Sequence, residues 1–420
     1  MKWLALACLA AAAILRPLAA QELPTPKDLP TTTQAAAWIE KDSLVVEARR
    51  ALTATGHGAA ALAAGSYEWT ARGSAQRRSV RDAGNSNEWS AQLERGVRIG
   101  GKAALDRQIG DADLAVARAR IGAARHEAAR GLADLWLGWL AATRTRELLK
   151  EQVSFAEANY AAVEKRKRAG DASMLDLNIA QADLTDVRRQ ASQVESNAAK
   201  ARAKLRVRFP DAPLELVPLA DPSEPMWTEA QWRERIVALA ALLRIAAGQV
   251  RKAELSASRA NADKVPDPTL GVFTSSEAFR SERVVGFSIS IPLSGTYRDE
   301  LIRQSLQEAE VARAALDRER QAIDIEIAET HADAIGSVAR WRLAEQGAEA
   351  ARENARLTQR AYTLGEADLQ SLLLIRRQAL DAARAAVESR ADALRWNYRL
   401  LIDANLIWRL ANEWSSAKVS

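Results

Sequence analysis

The chain repeats itself at an offset of 195 residues. Gly100 is matched by Gly295, Val116-Ala117-Arg118-Ala119 returns letter for letter as Val311-Ala312-Arg313-Ala314, Asn159 returns as Asn354, and Gly170-Asp171-Ala172 returns as Gly365-Glu366-Ala367. So long a period is no short solenoid repeat. It marks two copies of a whole supersecondary unit, and the fold must carry internal pseudo-symmetry.

The prolines divide the chain in the same way. They cluster before Thr31, between Pro210 and Pro225, and at Pro266, Pro268 and Pro292, leaving 31–209 and 293–420 without any. Proline interrupts helix interiors, so these two spans are free to be helical and the segment 210–225 is a connection between halves. Before each long span the hydrophobic period changes to two. Trp89, Ala91, Leu93, Val97 and Ile99 alternate with polar residues, with Arg95 as the exception; Val285, Phe287, Ile289, Ile291 and Leu293 do the same in the second half. That alternation reads as strands with one apolar and one polar face. Their upstream partners are 66–77 and 269–275, joined through polar loops, which predicts four strands at about 66–77, 87–99, 269–275 and 284–293. A glycine-containing turn, Gly100-Gly101-Lys102 or Ser294-Gly295-Thr296, follows each hairpin.

The proline-free run from Ala103 to Arg168, at a rise of ~1.5 Å per residue, would make a rod of roughly 100 Å, far longer than a domain-core helix. Leu316, Ile323, Ile327, Ala334, Val338 and Trp341 keep helical spacing along the matching second rod. The return helices carry heptads, Leu177, Leu184, Ala191, Ala198 and Leu205 in the first and Leu372, Ala379, Ala386, Ala393, Leu400 and Ile407 in the second. A seven-residue period rich in alanine specifies close antiparallel packing.

Met1-Lys2, the apolar run Trp3–Leu15 and the small residues before Gln21 read as a secretory signal peptide cut after Ala20. The one cysteine, Cys8, lies inside it, where a lipoprotein signal is the alternative reading. The mature chain then has no thiol for a disulfide or metal site. Removing Lys2 and Arg16 takes the formal charge from +5 to +3. The charges are interleaved, which argues for solvated helix faces and against nucleic acid as a partner. No later stretch is apolar over the roughly 18 residues a membrane helix requires, so a chain in a bilayer must use strands. Four strands cannot close a barrel, and open edges in hydrocarbon cost several kcal/mol per unpaired backbone group. Three copies would supply twelve, a number compatible with a closed barrel around water.

These features, with the segments Arg168-Ala169-Gly170 through Asp176-Leu177-Asn178-Ile179-Ala180-Gln181 and Tyr362-Thr363-Leu364-Gly365 through Leu372, resemble the outer-membrane efflux proteins of the TolC type. The resemblance implies a fold that is mainly α with a membrane β-barrel part: a homotrimeric barrel in outer-membrane lipid, continued by an α-helical barrel across the periplasm. Its implied partners are a periplasmic adaptor (membrane fusion) protein and an inner-membrane pump such as an RND transporter. It implies no cofactor. The implied function is a passive conduit for drugs or metal cations, not an enzyme. The alternatives are the outer channel of a type I protein secretion system, or a periplasmic coiled-coil structural or adaptor protein without a barrel. The expected layout is a signal peptide at 1–20; a first repeat at 21–209, with a helix, a strand hairpin at about 66–99, a long helix at 103–168 and a return helix at 173–208; and a Pro-rich linker at 210–227. A second repeat at 228–410 follows, with a helix, a strand hairpin at about 269–293, a long helix at 297–362 and a return helix at 368–408, and 411–420 is a polar tail.

By the same resemblance, Gly170, Asp171, Gly365 and Glu366 match the periplasmic tips that meet the adaptor. Asp176 and Tyr362 match positions whose polar contacts hold the entrance closed, with Asp368 and Arg376 as further gate candidates. The aspartate often found six residues after the second tip glycine is Ser371 here, and the acidic position three further on is Leu374. An acidic selectivity ring from those positions is therefore not expected. Arg166, Arg168 and Arg377 are either solvated charges or partners of carboxylates across protomers. His57, His126 and His331 are isolated in sequence and read as surface or packed residues, not metal ligands. Trp69 and Trp89 suit either an aromatic girdle or simple packing, and Trp136 and Trp139 share a helix face as packing anchors. No nucleophile and base pair or phosphate loop stands out.

Overall fold

The computed structural model describes residues 23–81, 84–293 and 295–409. The expected signal peptide with Cys8, Ser294 of the second turn and the tail 411–420 lie outside the described residues. Among the described residues eight α-helices and four strands follow in order: α1 Thr32–Ile39, α2 Ser43–Ala64, β1 Thr70–Val80, β2 Gly84–Gly96, α3 Lys102–Ala169, α4 Met174–Arg208, α5 Glu229–Leu239, α6 Ala241–Ala262, β3 Thr269–Glu277, β4 Glu282–Ser290, α7 Thr296–Leu364 and α8 Leu369–Asp403, with a single 3-10 turn, Ala278–Arg280, between β3 and β4. None of the described helices is long and apolar enough to cross a membrane.

Helices α3 and α7 run for 68 and 69 residues, about 100 Å each. Helix α3 packs on α2 and α4, and α7 on α6 and α8, so the two halves repeat one arrangement. They are joined because α3 also packs on α6 and α8. The heptad residues Leu184, Ala198 and Leu205 of α4 and Leu372, Ala386, Ala393 and Leu400 of α8 are buried, with Ala180, Val187 and Val194 completing the first seam. The expected helix at 368–408 is shorter than its heptads indicate. It stops at Asp403, and Asn405 and Trp408 take positive φ of 53° and 48°. The chain there folds back, so Ile407 and Trp408 enter the core beside α1 instead of extending the seam, and the Trp408 indole donates to the Pro30 carbonyl at 2.8 Å.

The main core lies midway along the rods. Trp136 of α3 stacks on Trp38 of α1 with ring centroids 6.4 Å apart and meets Trp139 of its own helix edge-on at 5.2 Å, among Leu132, Leu137, Leu205, Phe209 and Ile402. Buried Asp28 ties this region together. It accepts from the Tyr398 hydroxyl at 2.6 Å and the Ala220 amide at 3.1 Å, while its carbonyl accepts from the Trp136 indole at 2.7 Å. Arg130 of α3 holds Asp403 in two bonds of 2.6 and 2.7 Å and reaches Glu326 of α7 at 2.9 Å.

The strands form one antiparallel sheet in the order β1-β2-β3-β4. Register pairs Leu93 with Ala71 and Val272, and Val272 with Phe287. Pleating therefore puts Trp89, Leu93, Leu270, Val272, Val285, Phe287 and Ile289 on one face, all exposed in the single chain. The opposite face carries Arg72, Gln76, Glu88, Gln92 and Glu94, with Arg72 paired to Glu94 at 3.1 Å and Arg78 to Glu88 at 3.3 Å. Arg77 and Arg283 share the apolar side toward the hairpin ends, while Arg95, on the same side, sits at the helix end of β2. There its Nε donates to the Tyr67 carbonyl at 3.0 Å, and its guanidinium lies 5.6 Å over Trp69.

The joint between sheet and rods is polar and buried. Lys102, only 1% exposed, donates from Nζ to the Val265 carbonyl at 2.7 Å and Asp267 at 2.8 Å, with Asp263 at 3.2 Å. Asp267 also accepts from the Ile99 amide at 3.0 Å and the Tyr67 hydroxyl at 2.9 Å. Asp106 of α3 receives Arg98 and Arg259 at 2.7 Å each.

Candidate functional site

At the end of the rods away from the sheet, both long helices stop on the repeated glycine. Gly170 has φ 87° and ψ 4°, Gly365 φ 81° and ψ 8°, the left-handed region that a side chain resists. Each turn then follows one hydrogen-bond plan. The amides of Gly170 and Asp171 donate back to Lys167 and Arg166, and those of Gly365 and Glu366 to Tyr362 and Ala361, so the last helical carbonyls are satisfied.

The return helices start on side-chain caps. Ser173 Oγ accepts from the Asp176 amide at 3.0 Å, and Asp176 Oδ2 accepts from the Ser173 amide at 3.0 Å and its hydroxyl at 2.8 Å. The Ser173 amide and hydroxyl hold the Asp176 carboxyl below its ordinary pKa. Asp368 plays the matching part for α8, accepting from the Ser371 amide at 2.7 Å and its hydroxyl at 3.1 Å, and these lower its pKa likewise.

The two tips touch. Val163 of α3, Ala180 of α4 and Leu369 and Leu373 of α8 form a small core, with Tyr160 and Tyr362 packed against it. Arg166 bridges the repeats: its Nη1 donates to the Tyr362 hydroxyl at 3.1 Å, Nη2 to the Asp171 carbonyl at 3.3 Å, and its guanidinium lies 5.7 Å from the Tyr362 ring centre. One turn further in, Arg376 stacks 3.6 Å from the Phe155 ring centre and donates to Gln359 at 3.3 Å, while its Nε is buried without a partner. Burial lowers its pKa. Arg377 of α8 pairs with Asp186 of α4 at 2.7 Å, and Arg168 pairs with Glu164 of its own helix at 3.0 Å.

Among the sequence-selected residues, the structure thus joins Tyr362 to Arg166, keeps Asp176 and Asp368 as caps of their own helices, and holds Arg376 against an aromatic ring. Within one chain Asp176 and Tyr362 are not hydrogen-bonded to each other. His57 is exposed, His331 Nε2 lies 3.4 Å from the Trp227 carbonyl, and His126 lines a cavity of about 520 Å³ between α2, α3, α5, α6, α7 and α8. Burial, then Arg130 and Arg244, push the His126 pKa down to about 4. Among the described residues no group of side chains could hold a metal ion. Sequence reasoning missed the Arg166–Tyr362 bridge and the Lys102–Asp267 joint. Both are cross-repeat contacts, and their only sequence sign is a polar residue beside a repeated glycine or between two prolines.

Residues 62–207 match the outer membrane efflux protein family. No curated protein matches the chain in sequence. Among solved structures, the fold is similar to that of the outer-membrane channel OprN, at 18% identity and TM-score 0.74 over 91% of each chain. It is similar as well to the CmeC outer membrane channel of Campylobacter jejuni, at 12% identity and TM-score 0.70 over 91% of this chain and 86% of that one. The outer membrane protein VceC of Vibrio cholerae gives 17% identity and TM-score 0.68 over 89% and 95%. The family match is thus confined to residues 62–207, and the chain as a whole has the fold of these outer-membrane channels.

Proposed function

We propose that the chain is the outer-membrane channel of a tripartite efflux pump. In this reading it is a passive homotrimeric conduit that receives drugs or metal cations from an inner-membrane pump, such as an RND transporter, through a periplasmic adaptor. The observation that carries this reading is the sheet: one face apolar and exposed, the other polar, and two unpaired edges, β1 and β4, in one chain. Such a sheet is stable in lipid only when its edges are closed, and the internal β2–β3 pairing is a ready template for pairing β4 with β1 of the next copy. A periplasmic coiled-coil protein without a barrel has no use for these strands.

The rods then line a passage about 100 Å long, and cargo crosses it without chemical change. The turns at Gly170, Asp171, Gly365 and Glu366 are the adaptor-docking end. Tyr362 with Arg166, and Arg376, set how closely the distal helices approach; Asp176 and Asp368 fix where the return helices begin. Residues 21–209 and 228–410 are the two repeats, joined by 210–227.

Fractionation and planar-bilayer recording test the reading. The expected result is a heat-sensitive oligomer in the outer membrane that conducts ions without ATP, and adaptor captured by photo-crosslinkers at Asp171 and Glu366. Release with soluble periplasm, or absence of conductance, would refute it, and capture of a secretion-system adaptor would reassign the pump.

A further inference from the structure

The two distal turns share a backbone and differ in surface. At the 195-residue offset Lys165 corresponds to Arg360, Arg166 to Ala361, Lys167 to Tyr362, Arg168 to Thr363 and Ala169 to Leu364. Residues 164–171 hold four basic and two acidic side chains, net +2, whereas 359–366 hold one of each, net zero. Basic residues stabilise a helix C-terminus through its dipole. The second repeat is an internal control on that explanation. Helix α7 has no basic residue in its last turn, yet ends on the same glycine conformation with the same pair of backbone hydrogen bonds as α3. The charge at the first turn is thus not needed to end the helix.

Nor is it consumed inside the chain. Arg166 is committed to Tyr362 and Arg168 to Glu164, but Lys165 and Lys167 are exposed, and among the described residues neither has a carboxylate within salt-bridge distance. Met174 and Leu175, which begin α4 on the far side of the same turn, are 57% and 64% exposed. The first turn therefore carries free cations on its incoming helix and uncovered apolar side chains on its outgoing one.

We propose that the first turn, and not the second, docks an acidic protein segment that also carries apolar side chains, with Lys165 and Lys167 as its charge readers and Met174 and Leu175 as its apolar contacts. This rests on the reading of the distal end as a docking surface and adds the chemistry of the partner. In a trimer it makes the six turns alternate between two kinds, so a partner meets a threefold surface, not a sixfold one.

The full chain in nanodiscs of zwitterionic lipid is titrated against a labelled helical peptide rich in Glu and Leu, and against its counterpart with Lys in place of Glu. The Glu peptide is expected to bind, the Lys peptide not, and binding should weaken at least roughly tenfold between low salt and 1 M, where the screening length falls to about 3 Å. K165E/K167E is expected to weaken it roughly tenfold, while R360E at the second turn changes it less than twofold, with trimer migration on gels kept in both. Equal binding of the two peptides, no effect of K165E/K167E, or an equal effect of R360E overturns the proposal. Adaptor crosslinking at Glu366 alongside a silent K165E/K167E would sink this inference and leave the docking reading standing. Peptide binding without adaptor crosslinking at either turn would do the reverse.

Discussion

Replacing Lys102 with Met tests whether the joint between sheet and rods is held by its buried charge. Met keeps the length and apolar stem of the side chain and removes the ammonium that bonds Asp267, Asp263 and the Val265 carbonyl. Removing one partner of a buried ion pair typically costs about 3–5 kcal/mol, because the other charge stays desolvated. Here Asp267 keeps the Ile99 amide and the Tyr67 hydroxyl, which places the expected cost near the lower end, about 3 kcal/mol, or roughly a hundredfold in a local opening equilibrium. Hydrogen exchange read by mass spectrometry on peptides spanning Val97 to Asp106 reports that opening, and Lys102→Met should speed exchange there by about two orders of magnitude. Adding Asp267→Asn removes the stranded charge and should recover at least roughly tenfold. Acceleration below tenfold, or a double variant no better than the single one, would refute the reasoning. The pH dependence has a definite sign. Burial raises the Asp267 pKa, but the bonds from Lys102, Ile99 and Tyr67 outweigh it and hold it below the ordinary value. Its contribution is therefore full above the unfolded value near ~3.9 and is lost as pH falls through the lower folded value.

His126 titrates near 4 in the folded chain against 6.5 for the free side chain, so the unfolded chain binds the extra proton between these values. Stability should fall from pH 6.5 toward 4 by no more than about 3 kcal/mol, and His126→Gln should flatten that slope in thermal melts. Arg130→Ala leaves Asp403 buried without its bidentate partner and should destabilise the middle of the rods by about 3 kcal/mol or more, seen as a lower melting temperature. Gly170→Val and Gly365→Val meet no neighbour but force a branched side chain to positive φ, at roughly 1–2 kcal/mol of backbone strain. Each should abolish export in an efflux assay while trimer and membrane insertion persist. Asp176→Ala removes the carboxylate half of the Ser173 capping box, at no more than about 1 kcal/mol, and Tyr362→Phe removes the Arg166 bond; together they should raise conductance in planar bilayers.

The repeat, the rods and the alternating strands were legible because each is a local periodicity: 195 residues for the unit, seven for the seams, two for the strands. The ends of elements were less so. Strand β1 begins at Thr70 and not at Ser66, since its outward residues Ala71, Gly73 and Ala75 are too small to write an apolar alternation and only the register with Leu93, Ala91 and Trp89 defines it. Helix α8 stops before Ile407 although the heptad continues, because the core beside α1 gives Ile407 and Trp408 better burial. At the tips, glycine was readable from its conformational requirement. The division of labour among Asp176, Arg166 and Tyr362 was not: the Ser173-x-x-Asp176 spacing is a capping signal in itself, and the partner of Tyr362 lies in the other repeat.

Half of the seams of the proposed ring are already inside one polypeptide. The pairing of β2 with β3, and the packing of α3 on α6 and α8, form at the effective concentration set by the tether, commonly in the millimolar range for short flexible linkers, whatever the expression level. The matching seams between copies wait for diffusional encounter. Until then each newly folded chain carries a free β4 edge bearing Val285, Phe287 and Ile289, the kind of edge that templates aggregation. Duplication of the unit therefore halves the number of seams that must form between molecules to close a ring and shortens the time for which those edges stand open.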